Sequence, residues 1–186
     1  TPISISENRA DIVTLQGTTG ISLATTNITV TDQVTKAQAD TINGYTTGQV
    51  TLNSVSASVA DLATIEATTD SEIKFADNGA ISVSDTATLA NANTINGYTT
   101  GQVTLTSVSD TVANITTIDG LNTSEVSMAA ATISITDTGV SKAQVDTVNG
   151  YTTGTVTPIS ISENRADIVT LQGTTGISLA TTNITV

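Results

Sequence analysis

The sequence predicts an α/β repeat solenoid, in which coils of about 26 residues stack so that their strands form parallel sheets. Three observations predict it. The hexapeptide NGYTTG occurs at Asn43–Gly48, Asn96–Gly101 and Asn149–Gly154, each copy 53 residues after the last. A ten-residue motif returns seven times, starting at Asn8, Thr35, Ser58, Thr88, Thr111, Ser141 and Asn164. Finally, Thr1–Val30 reappears letter for letter as Thr157–Val186. A single unit this short cannot bury an apolar stripe alone, whereas stacked copies can.

The ten-residue motif predicts a two-turn helix with both ends marked. Its copies read NRADIVTLQG, TKAQADTING, SVADLATIEA, TLANANTING, TVANITTIDG, SKAQVDTVNG and again NRADIVTLQG. The first position is always Ser, Thr or Asn, whose side-chain oxygen can take a free N–H of the first turn. Asn8, Thr35, Ser58, Thr88, Thr111, Ser141 and Asn164 are therefore the expected N-caps. The pairs Thr35 with Gln38 and Ser141 with Gln144 have the spacing of a strict capping box. At the far end, Gly17, Gly44, Gly97, Gly120, Gly150 and Gly173 are expected to supply a left-handed residue just past the helix; Ala67 replaces glycine in the third copy.

Within the helix, the fifth and eighth positions are apolar and share one face. The third is always Ala and the seventh always Thr. Ala37, Ala60, Ala90, Ala113 and Ala143 with Thr41, Thr64, Thr94, Thr117 and Thr147 form a second stripe, roughly opposite the first. It is expected to act as a packing column that lets neighbouring helices approach closely, or to bond Thr hydroxyls to carbonyls four residues back. Helices this short need packing to persist in water.

Between helices the apolar period changes to two, which marks strands. A strand follows each NGYTTG, as in QVTLNSVS (Gln49–Ser56) and QVTLTSVS (Gln102–Ser109). Two short strands are expected after the other helices: EIKF and AISVSD around Asp77-Asn78-Gly79, then EVSM and TISITD around Ala129–Ala131.

Short and long coils alternate, and the expected arrangement is a single continuous array over residues 1–186. Double-coil units of 53 residues fall at about 31–84, 85–136 and 137–186, with 1–30 closing a preceding unit. Stacked strands sit about 4.8 Å apart, whereas packed helices prefer about 8–10 Å. That mismatch leads us to expect a curved or superhelical array. The alternative is an all-β solenoid in which the Ser/Thr/Asn…Gly stretches are only turns.

The composition narrows the function classes. The chain has no Cys, His or Trp, one Phe and one Met, so its core must come from Ile, Val, Leu and Ala. A Cys or His nucleophile, a His base and the usual zinc sites are excluded. Every acid stands in a repeat column, which argues for structure over catalysis, and we expect no enzyme. A net charge of −12 disfavours nucleic acid and anionic membranes as partners, and the sequence has no apolar run long enough for membrane insertion. The acids Asp32, Asp85, Asp110, Asp137, Glu7 and Glu163 lie at strand ends, where they suit a turn beside a positive helix N-terminus. Calcium is the competing reading, but the Gly-rich nonapeptide of calcium-binding β-rolls is absent, so no cofactor is expected. Thr-rich rows also suggest ice binding, which needs a flat exposed sheet, whereas the invariant Thr lies in the helical motif. The N-x-[ST] triplets at Asn27, Asn114 and Asn183 carry little weight in so Thr-rich a chain.

Taken together, T-[IV]-N-G-Y-T-T-G-x-V-T, a Ser-rich strand and x-x-A-[DN]-[IL]-x-T-[IL] resemble the tandem repeats of very large cyanobacterial extracellular proteins. The resemblance covers essentially the whole chain. It implies export by a type I route, with signals outside this segment, and a place in a surface coat, sheath or slinky-like filament. The expected role is a structural protein at the cell surface or outside the cell, with copies of itself or flanking repeats as partners. An adhesin stalk, or a solenoid binding carbohydrate or ice, is the alternative. Tyr45, Tyr98 and Tyr151, all within NGYTTG, are expected to form a spaced column over helix ends or between turns of the array.

Overall fold

The computed structural model describes residues 3–68, 72–121 and 125–186. Thr1 and Pro2, the first residues of the duplicated segment, lie outside them. Helices and strands alternate along the chain and neighbouring strands run parallel, so the fold is the α/β repeat solenoid and not its all-β alternative. The chain divides into two compact units, Thr1–Ser84 with Thr94–Val103, and Asp85–Asn93 with Thr104–Val186.

The first unit runs β1 (Ser4–Glu7), α1 (Arg9–Gly17), β2 (Asn27–Val34), α2 (Lys36–Asn43), β3 (Val50–Ala57), α3 (Val59–Ala67) and β4 (Ile73–Ala87, whose end crosses the division). Its strands lie side by side in chain order, all parallel. The register sets like on like. Ile28 faces Val50, which faces Ile73; Val30 faces Leu52, which faces Phe75. All six are buried, while Thr29, Thr51 and Lys74 between them are only half-buried. Alternation along each strand thus becomes apolar ladders across the strands, each fully buried Ile, Leu or Val contributing about 1.5–3 kcal/mol.

One strand departs from expectation. EIKF and AISVSD do not form two strands but one, the 15-residue β4. Leu52 faces Phe75, yet Ser54 faces Ala80, so the residues around Asp77-Asn78-Gly79 are extra and bulge from the ladder. They remain extended because their carbonyls accept hydrogen bonds from the NGYTTG segment that follows, as described below.

The second unit contains β5 (Val103–Asp110), α5 (Val112–Gly120), β6 (Val126–Ser127), β7 (Thr132–Ile135), α6 (Lys142–Asn149), β8 (Val156–Pro158), β9 (Ser160–Ser162), α7 (Arg165–Gln172) and β10 (Asn183–Thr185). The remaining helix, α4 (Leu89–Asn96), begins in this unit. β7 pairs in parallel with β5 and β8, and β10 with β9. Val108, Ile133 and Val156 repeat the buried ladder. Here EVSM and TISITD remain separate, as β6 and β7.

Helices contribute the other wall. Ile12, Ala39, Ile42, Leu62, Ile65, Ala92, Ile95, Ile115, Ile118, Val145, Val148 and Leu171, at motif positions five and eight, are all buried. Leu15 and Ile168, in the two copies of the duplicated helix, are half-buried.

Those two copies form an internal control. Ile28 and Val30 are 1% and 0% exposed, while Ile184 and Val186, the same residues of the same sequence, are 45% and 84% exposed. The first pair lies against β3; no described strand follows β10. Burial here comes from the neighbouring coil and not from the sequence of the coil itself.

Candidate functional site

Chemistry-bearing side chains gather at the seam where one coil meets the next, and the seam is built from two devices. The first is the TTG of NGYTTG. Thr46 Oγ1 donates to the Thr26 carbonyl of the preceding coil at 2.7 Å and accepts from the Gly48 N–H at 2.8 Å. Thr99 does the same with Gly79 (2.6 Å) and Gly101 (2.8 Å), and Thr152 with Ala131 (2.7 Å) and Gly154 (2.9 Å). Thr46 and Thr99 are among the few buried polar residues, 9% and 7% exposed, so these bonds are shielded from water.

The second threonine adds two bonds to one carbonyl. Thr47 sends its N–H and hydroxyl to the Ala24 oxygen, each at 2.9 Å. Thr100 does so to Asp77, each at 2.7 Å, and Thr153 to Ala129, at 2.8 and 3.0 Å. The glycine lets the chains meet. A Cβ on Gly48 would lie 2.5 Å from the Thr26 oxygen; one on Gly101 would strike the Asn78 and Gly79 carbonyls, and one on Gly154 that of Ala131. Three hydrogen bonds across the seam, a fourth within the TTG turn that fixes the donating hydroxyl, and a bare Cα therefore clamp each NGYTTG coil onto its predecessor.

The second device satisfies helix N-termini from both sides. Six N-cap side chains take an N–H of their own first turn: Asn8 from Asp11, Thr35 from Gln38, Ser58 from Asp61, Thr111 from Asn114, Ser141 from Gln144, and Asn164 from Ala166 and Asp167. Gln38 and Gln144 return a bond to the cap N–H, closing full capping boxes. Thr88 and Asn91 exchange the same reciprocal pair. The first helical N–H is taken by an acid from the following coil: Arg9 donates to Asp32 at 2.7 Å, Leu89 to Asp110 at 2.9 Å, Val112 to Asp137 at 2.6 Å and Lys142 to Glu163 at 2.8 Å. Each of these acids thus reaches back to the helix before it, and Asp110 also takes the Thr111 N–H and the Asn114 amide at the start of the helix it precedes. Asp110 shows the balance of forces. Burial works to raise its pKa, but bonds from the Leu89 N–H, the Asn114 amide and the Thr111 N–H outweigh it and hold the carboxyl below its ordinary value.

No family model, curated protein or solved structure matches this chain.

Elsewhere the sequence expectations divide. The glycines do not form left-handed caps: positive φ occurs, among the described residues, only at Gly20, Gly139 and Gly176. Gly44, Gly150 and Gly173 stay right-handed, with φ of −65°, −69° and −88°. The helices unwind through tighter bonds instead, as in Tyr45 N–H to Ile42 and Tyr98 N–H to Ile95, both at 3.0 Å, and Gly97 N–H to Thr94 at 3.1 Å, which leave φ negative. Gly17 and Gly120 are the last residues of their helices, with Thr18 and Leu121 extended beyond them.

Nor is the Ala/Thr stripe a buried packing column. Ala37, Ala60, Ala90, Ala113 and Ala143 are exposed, as are Thr41, Thr64, Thr94, Thr117 and Thr147. The hydroxyls of Thr41, Thr64, Thr117 and Thr147 turn back to the carbonyls of Ala37, Ala60, Ala113 and Ala143, at 2.8–2.9 Å. The opposite, apolar face is the one that is buried. Tyr45, Tyr98 and Tyr151 are half-buried. Tyr98 stacks on Phe75 of the preceding coil, ring centroids 6.0 Å apart and planes at 4°, and Tyr151 hydroxyl lies 3.4 Å from Thr116 Oγ1.

An open hollow of about 450 Å³ beside the α4 N-terminus is lined by Thr88, Leu89, Ala90, Asn93, Asp110 and Asn114. Its carboxylate is already bonded to the α4 N–H and to Asn114. The arrangement can therefore hold coils in register, and its carboxylate is committed to that task.

Proposed function

We propose that the chain is a structural protein, a segment of a long acidic solenoid that builds an extracellular filament, coat or sheath and is related to the giant cyanobacterial surface proteins it resembles. One observation carries the reading. The clamp recurs at all three NGYTTG copies with the same donors, acceptors and glycine, so the most specific chemistry in the chain is spent on continuing the array. The acidic surface would keep neighbouring arrays apart through charge repulsion, and the differing spacings of strands and helices favour curvature in a long array.

Electron microscopy and fibre diffraction of the native assembly test the proposal. Filaments or a layered coat, with a reflection near 4.8 Å along the array from stacked strands, are the expected result. Dispersed monomers with affinity for a sugar or for ice would replace it with a binding role.

A further inference from the structure

We infer that the asparagine of each NGYTTG is a modification site gated by the fold: sealed while its coil is closed, it converts to aspartate and isoaspartate once that coil opens. The chain thereby keeps a covalent record of where it has opened, whatever the array is built for. Asn43, Asn96 and Asn149 each precede a glycine, as does Asn78 in the bulge of β4. Glycine has no side chain to shield its nitrogen, so Asn-Gly is the pair in which that nitrogen attacks the asparagine side chain most readily. The glycine nitrogen bonds to Cγ, the Cγ–Nδ2 bond breaks, and ammonia leaves carrying the former amide proton. One water then opens the cyclic imide at either carbonyl. One product is aspartate; the other is isoaspartate, whose backbone runs through the side-chain carbon.

The closed coil blocks each requirement of this reaction. Asn43, Asn96 and Asn149 are the last residues of α2, α4 and α6. Ring closure needs the glycine nitrogen swung round beneath the side chain, and a helical ψ of about −42° turns it away. The nitrogen must also give up its proton, and that proton is engaged. The Gly44 N–H donates to the Asp40 carbonyl at 3.0 Å, Gly97 to Thr94 at 3.1 Å, and Gly150 to both Asp146 and Thr147 at 3.1 Å. Asn149 carries a further restraint, since its amide donates to the Thr175 carbonyl of the next coil at 3.3 Å. The locks shared by all three sites belong to helices of eight residues, which do not persist in water without their packing. Opening a coil therefore releases them together. Asn78, in an extended strand, has none of the helical locks.

Position makes the change consequential. Each of the three asparagines stands three residues before the first clamp threonine. Isoaspartate adds one backbone carbon, about 1.5 Å of chain, between helix and clamp. The buried bonds from Thr46 to Thr26 and from Thr99 to Gly79, at 2.7 and 2.6 Å, leave little slack to absorb it. Either product also places a negative charge at a helix C-terminus, the unfavourable end of the dipole. A converted coil is thus hindered from closing again.

Incubating the native and the guanidinium-unfolded chain in heavy-oxygen water at mildly alkaline pH, with peptide mapping by mass spectrometry, tests this. Label should enter at Asn43, Asn96 and Asn149 about tenfold or more faster in the unfolded chain, because a closed coil reacts only through opening. Equal rates would overturn the inference. Gly44→Ala fits the right-handed backbone at that position and should slow labelling of the unfolded chain at Asn43 alone; no slowing would mean that the reaction is not this cyclisation. Thr99→Val, shown to be folded by circular dichroism, should raise the native rate at Asn96 and leave that at Asn149 unchanged. No rise at Asn96, or an equal rise at all three sites, would overturn gating by the individual coil. Chain converted while unfolded and then refolded should lack amide protection at Gly48, Gly101 and Gly154, which unconverted chain regains on refolding. Recovery in both would overturn the effect of the modification on closure.

Discussion

Replacing Thr99 by Val isolates the clamp. The two side chains have nearly the same shape, so no cavity opens, and the change removes one hydroxyl. That hydroxyl donates to the Gly79 carbonyl at 2.6 Å, with the Asp77 carbonyl more distant at 3.2 Å, and accepts from the Gly101 N–H at 2.8 Å; Thr99 is 7% exposed. Leaving a buried polar group without its partner costs about 1–3 kcal/mol. With two groups affected and some relaxation, a loss of about 2–4 kcal/mol follows. For a chain of this size that lowers Tm by roughly 2–4 °C per kcal/mol. Thr100 is the control: it is exposed, and its N–H still reaches the Asp77 oxygen when the hydroxyl is gone. Thr100→Val should cost under about 1 kcal/mol. Because repeat arrays can unfold in stages, urea unfolding followed by circular dichroism should be paired with amide hydrogen exchange. Protection of the Gly101 amide should fall in Thr99→Val and persist in Thr100→Val. Equal losses in both, or an unchanged Gly101 amide, would refute the view that the buried hydroxyl holds the seam.

The glycines should separate by position. Gly48→Ala places a methyl 2.5 Å from the Thr26 carbonyl and should destabilise by about 3 kcal/mol or more, whereas Gly17→Ala meets nothing within 4 Å and should gain up to about 1 kcal/mol from helix propensity, both read by urea unfolding. On the helices, Ile118→Ala should cost about 2–5 kcal/mol, while exposed Thr117→Ala should stay within about 0.5 kcal/mol. Acid should loosen the α4 N-terminus. The folded pKa of Asp110 lies below its unfolded value, so its contribution is complete above the unfolded value and is lost as pH falls through the folded one. In Asp110→Asn that part of the pH dependence of stability, measured below the ordinary aspartate value of about 3.9, should vanish.

How much of this could be read beforehand depends on where each contact lies in the chain. Caps and helices are local: Ser58 and the Asp61 N–H are three residues apart, so a one-dimensional pattern specifies them fully. Burial of Leu62 and Ile65 follows from the same period. Clamp contacts are different. Thr46 reaches back 20 residues and Thr47 reaches 23, and what they find is a backbone carbonyl, which every residue possesses and no letter records. TTG recurs visibly in the sequence, but nothing in its letters distinguishes a threonine that bonds a distant carbonyl from one that faces water. Asp110 illustrates a related gap. Its place at a strand end fits the bonds it takes from Thr111 and Asn114 at the start of the next helix; the bond from the Leu89 N–H, 21 residues back, depends on the stacking offset between coils, which no local pattern records. The glycine endings misled because glycine after a helix usually marks a left-handed residue, whereas these helices tighten and leave with φ negative.

The clamp reads donors on one coil and only main-chain oxygens on the other. Its accepting side is therefore indifferent to side-chain identity: Thr26, Gly79 and Ala131 fill one role. Any coil bearing TTG can follow almost any coil that presents the same backbone path. Whole coil pairs can then be gained or lost by unequal recombination without a joint having to be re-evolved. Length in such a lineage becomes a quantity that selection can adjust in steps, while the accepting positions are left free to drift.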